Sequence, residues 1–87
     1  MTRARILEEV ALERERQISK GYHVTDDLYW SPFDWYSMIA DYNAWARRMA
    51  AMGSPSKARQ RYIQIAALAV AAVEAMDYVA VPEEASQ

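Results

Sequence analysis

Eighty-seven residues are fewer than a typical domain holds, and a core that small is marginal without disulfides, a structural metal or a partner chain. Cysteine is absent, which excludes a disulfide framework and a thiolate metal site. A net charge of −2 argues against direct nucleic-acid binding, which ordinarily shows as a basic domain, and with no signal peptide legible the expected location is the cytoplasm.

The first helix is predicted from about Thr2 to Lys20. Ile6, Leu7, Val10, Ala11 and Ile18 fall on one side of it and charges on the other, and Gly21 is placed to end it. Glu8, Glu9 and Glu13 alternate with arginines, the pattern of a solvated, salt-bridged face rather than of a metal site. A loop follows from Tyr22 to Trp30. It holds the only histidine, His23, with no serine or cysteine nearby to form a nucleophile–base pair. Asp26 and Asp27 have two readings, turn chemistry or an acidic contact for a partner.

Ser31-Pro32-Phe33-Asp34 joins an N-cap serine, a first-turn proline and an acid at the capping-box position, so a second helix is expected to start there. Trp35, Met38, Ile39, Tyr42, Trp45, Ala46 and Met49 repeat at helical spacing as its core stripe, and Gly53 ends it. Ser54-Pro55 repeats the serine–proline start. From Tyr62 to Met76 only Gln64 and Glu74 interrupt an apolar run, so the third helix is expected to be buried on nearly every face. The run is too short to cross a bilayer, which needs about 20 apolar residues. Two other helices cannot cover it, so a second copy or another protein is expected to cover the rest, and the expected assembly is a homo-oligomer. Glu74 needs a partner in such surroundings, and Arg14, between Ala11 and Ile18 on the first helix, is the expected one. Pro82 is expected to stop the helix near Val79, leaving residues 1–81 as a single helical domain and 82–87 as a flexible tail.

Glu13-Arg14-Glu15-Arg16-Gln17, then Lys20-Gly21-Tyr22, Asp26-Asp27, Trp35 and the Tyr62–Asp77 helix together resemble small phage-encoded proteins related to MazG, themselves similar to all-α nucleoside triphosphate pyrophosphohydrolases. The resemblance covers most of the chain. It implies a helical, oligomeric fold with magnesium held by Glu-Glu-x-x-Glu on one helix and Glu-x-x-Asp on the next, where carboxylates converge on cations that bridge phosphates. Here the first motif falls on Asp41, Tyr42 and Trp45, and the second on Arg61 and Gln64. One acid remains. Glu74 and Asp77 spell Glu-x-x-Asp too far along the helix to replace the second motif.

Two surfaces remain as candidates for recognition. Eight of the ten aromatics lie between Tyr22 and Trp45, and Tyr29, Trp30 and Tyr36 stand off the core stripe, as interface anchors or as packing over the bundle end. Arg47 and Arg48, with Lys57, Arg59 and Arg61, form a basic patch for a phosphate or acidic surface, or an ordinary solvated face. The sequence therefore predicts an all-α three-helix bundle, a helical hairpin plus an N-terminal helix. Its expected function is a non-catalytic, protein-binding one, that of a small phage accessory protein that binds or inhibits a host protein, without cofactor or metal. The alternatives are a magnesium-dependent nucleoside triphosphate pyrophosphohydrolase using Asp41, Glu74 and Asp77, or nucleotide binding without hydrolysis.

Overall fold

A computed structural model describes residues 2–20 and 31–85, with the backbone alone over 78–85. Among the described residues the regular elements are three helices, α1 (Arg3–Ser19), α2 (Pro32–Ala51) and α3 (Pro55–Ala85), so the fold is the all-α bundle that the sequence predicts. Local chemistry sets most of their ends. Thr2 caps α1 by accepting from the Arg5 backbone N–H at 3.3 Å. At the start of α2 the capping box is reciprocal. The Asp34 N–H donates to Ser31 Oγ at 3.2 Å and the Ser31 N–H to Asp34 Oδ2 at 2.8 Å, which satisfies two backbone donors that the helix leaves unpaired.

The turn between α2 and α3 is a Schellman closure. Gly53 takes φ +76°, its N–H reaches the Ala50 carbonyl at 3.1 Å, and the Ser54 N–H reaches Met49 at 2.9 Å. A left-handed residue is required there, and glycine adopts that conformation without the backbone strain that a side chain would bring. The far end of α3 departs from expectation, because the helix runs through Pro82 to Ala85 instead of stopping near Val79. Proline's fixed φ is itself helical. What it forfeits is one backbone donation to the carbonyl four residues earlier, which its ring also crowds, and this close to the helix end a single turn bears that cost. Gly21 lies outside the described residues, and α1 closes with the Lys20 N–H on the Arg16 and Gln17 carbonyls.

α3 is the centre of the molecule. α1 and α2 each pack on it, and among the described residues they do not pack on each other. The start of α2 lies against the second half of α3 and its end against the first, which makes the pair an antiparallel hairpin. Trp35 packs with Leu68, Ala71, Ala72 and Ala75, and Met38, Ile39 and Tyr42 close over that cluster. The small alanine side chains of α3 leave room for the Trp35 ring, and Ala46 and Ala67 have no exposed surface at all.

The α1 face is rotated from the one its apolar pattern predicts. Val10, Arg14 and Gln17 are buried, whereas Ile6 and Leu7 are exposed. Two ion pairs to α3 go with this face. Arg14 Nε donates to Glu74 Oε1 at 2.7 Å from the buried line itself, and Arg59 Nη2 donates to Glu9 Oε2 at 2.6 Å at its more exposed edge. Nor is α3 covered all round within one chain, since Tyr62, Ala69, Val70, Val73 and Met76 stay exposed. No described helix is long and apolar enough to cross a membrane.

Candidate binding surfaces

The residues at which the MazG resemblance calls for metal ligands do meet across the hairpin, but they make a different structure. The rings of Tyr42 and Trp45 lie 4.9 Å apart, tilted by 57°. The Arg61 guanidinium stands 5.4 Å from the Trp45 centroid and 6.0 Å from that of Tyr42, and its Nη1 donates to Gln64 Oε1 at 3.0 Å. A fixed cation on the faces of two rings is an attraction of about 0.5–1 kcal/mol at this partial exposure. It also repels a second cation from the same spot. Trp45, expected in the core, is exposed on one side because Arg61 rather than another helix packs on it.

The acids are scattered. Asp41 lies on the outer side of α2 beside Asp34, Ser37 and Met38. Glu74 is held by Arg14, and Asp77 is one helical turn further along α3. Glu13 binds Arg16 on its own helix at 2.8 Å, and Glu9 binds Arg59, which is the salt-bridged surface that the alternation on α1 predicts. Among the described residues no three acidic or histidine side chains gather where a metal would sit.

At the other end of α2 the side chains point outward. Phe33 and Tyr36 are 71% and 67% exposed, with ring centroids 6.0 Å apart. Tyr36 is one of the aromatic candidates of the sequence, and the structure adds Phe33. The spacing of three residues, off the core stripe, is the signal that identifies Phe33 as its neighbour. His23, Asp26, Asp27, Tyr29 and Trp30 lie outside the described residues.

The basic residues divide into two groups. Arg47 and Arg48 are exposed on α2, beside Ala40, Asn43, Ala44 and Ala51, and Lys57 is exposed at the start of α3. Arg59 and Arg61 each hold a partner within the chain, Glu9 for the first and Gln64 with the two rings for the second. On this geometry the class is an all-α, three-helix protein with outward-facing aromatic and arginine surfaces. Comparison with protein-family models, with curated proteins and with solved structures finds no match for the chain.

Proposed function

We propose that the protein is a non-catalytic binding module and, following its resemblance to the phage-encoded proteins, a small phage accessory protein that binds or inhibits a host protein. The observation that carries this reading is the exposed Phe33–Tyr36 pair at the start of α2. Rigid aromatics held on a helix lose little entropy on docking and contribute most of the affinity where they are enclosed by a partner. Tyr29 and Trp30 immediately precede that helix in the chain, and Asp26 and Asp27 add negative charge beside them. The Arg61–Trp45–Tyr42 cluster weighs against the pyrophosphohydrolase alternative, since a guanidinium and two rings stand at positions where the resemblance calls for carboxylates.

The test is quantitative capture of a host protein from lysate by tagged wild-type chain and by Tyr36→Ala, Phe33→Ala and Trp30→Ala variants. Each truncation of an anchor is expected to weaken binding by about 2 kcal/mol, roughly thirtyfold, with the helical content unchanged. Salt should matter little. Capture that collapses with ionic strength and with charge reversal at Arg47 and Arg48 would move the contact to the basic surface. Nucleoside triphosphates with magnesium or manganese should release no pyrophosphate. Turnover that disappears in Asp41→Asn or Asp77→Asn would overturn the reading in favour of the enzyme.

A further inference from the structure

The face of α2 turned away from α3 carries two surfaces that the sequence presents as separate. Tyr36, Ala40, Ala44, Arg47 and Ala51 follow one another at intervals of four, four, three and four residues, and all five are exposed. From Tyr36 to Arg47 is eleven residues, close to three full turns, so the two stand on one line about 16 Å apart along the axis. Phe33 lies beside Tyr36 at the start of that line. The aromatic pair and the arginines are therefore the two ends of one strip on one helix.

Between its ends the strip is shallow. Ala40, Asn43, Ala44, Arg47, Arg48 and Ala51 line a depression along the outer surface of α2, where alanines four apart leave a trough between larger side chains, the shape that receives a row of side chains from another helix. Charge says what that helix carries. The two acids of α2, Asp34 and Asp41, lie together on a different side of the helix with Ser37 and Met38, and no acid borders the depression. Arg14, Arg16 and Arg59 each hold an acid within the chain, whereas neither Arg47 nor Arg48 forms an ion pair with a described residue. The strip thus offers aromatic surface at its start and uncompensated positive charge at its end.

We propose that this strip docks one helix of a partner protein, lying along α2 with apolar side chains around Phe33 and Tyr36 and with an aspartate or glutamate, about three turns further along its own axis, facing Arg47 and Arg48. The proposal rests on the aromatic reading of the site and adds the shape of the partner and the place of its charge. An exposed ion pair contributes little, so the acid sets register and orientation while the aromatic end supplies most of the affinity.

The test places the photocrosslinking residue benzoylphenylalanine in the full chain, in separate variants, at positions 36, 43 and 51, irradiates each in host lysate, and maps the adducts by mass spectrometry. They are expected on one helix of one protein, in that order along it, with an aspartate or glutamate between the residues reached from 43 and 51. Ala44→Trp, which fills the trough, should weaken capture of that protein at least tenfold, and Ser37→Trp, on the side that bears the acids, should leave it unchanged. Both positions are exposed, so both variants should keep the helical content of the wild type. Arg47→Glu should weaken capture about threefold to fivefold, and lysine in place of the partner's mapped acid should recover part of that loss. High salt should remove the same small share. Capture that depends on Phe33 and Tyr36 but is indifferent to Ala44→Trp and Arg47→Glu would overturn this inference and leave the aromatic reading in place. Capture indifferent to Phe33→Ala and Tyr36→Ala, or no protein captured at all, would overturn both. Adducts on nucleic acid, or a mapped segment that sets lysine or arginine against Arg47, would overturn this inference as well.

Discussion

Two ion pairs join the first helix to the central one, and in the Arg14–Glu74 pair the burial is lopsided. The Arg14 side chain is 6% exposed and that of Glu74 is 47% exposed. Arginine tolerates this because its stem packs with apolar neighbours and its guanidinium keeps its charge anywhere in a protein. The carboxylate, open to water on one side, brings little desolvation cost of its own. Reversing the charge at position 14 places an acid in the buried site facing Glu74, and Arg14→Glu is expected to destabilise the fold by about 3 kcal/mol, read as a shift of the urea midpoint at unchanged slope. A shift of a few tenths would mean that α1 is held by its apolar contacts alone. Arg14 was legible as the partner of Glu74 because it falls between Ala11 and Ile18 on the helix face. That the arginine and not the glutamate is the buried member follows from packing, since α3 turns the Glu74 position toward the edge of the α1 groove.

Among the elements, the turn from α2 to α3 depends most on one residue. Gly53 holds φ +76°, and a Cβ there would meet nothing within 4 Å, so the penalty for Gly53→Ala is backbone strain without a clash. The expected loss is about 1–2 kcal/mol of stability. Asparagine, which visits the left-handed region more readily, should lose less, and equal melting temperatures for the alanine and asparagine variants would count against this account. The helix starts at Thr2 and Ser31 and the stop at Gly53 were legible because caps are local chemistry, set by side chains within three or four residues. The continuation of α3 through Pro82 was not, because proline in a helix carries a finite cost, about 3 kcal/mol, and not a prohibition, and local sequence does not show what offsets it.

At the scale of the whole molecule, an apolar side of α3 stays open within one chain. The homo-oligomer that the sequence leads one to expect would stabilise folded chains by mass action, so the melting temperature of the wild type is expected to rise with protein concentration. Val73→Glu should melt at one temperature throughout a dilution series. A wild type equally insensitive to dilution would place the covering of α3 elsewhere. The apolar run of α3 already implied incomplete cover, since two neighbouring helices cannot surround a third.

By itself the sequence determined the helical class, the three elements, all of their ends but the last and the Arg14–Glu74 pairing, because capping and helical period act over a few residues and need no knowledge of the rest. Tertiary structure decided which faces those helices present. It turned α1 so that Leu7 lies open and Gln17 is enclosed, exposed Phe33 and Tyr36 together, and set Arg61 on Trp45 and Tyr42 where the resemblance calls for carboxylates. Periodicity identifies which residues share a face. Whether that face meets another helix, a guanidinium or water is settled only when helices distant in sequence are placed side by side, and their rotation is fixed jointly by contacts such as Glu9–Arg59 that no local pattern encodes.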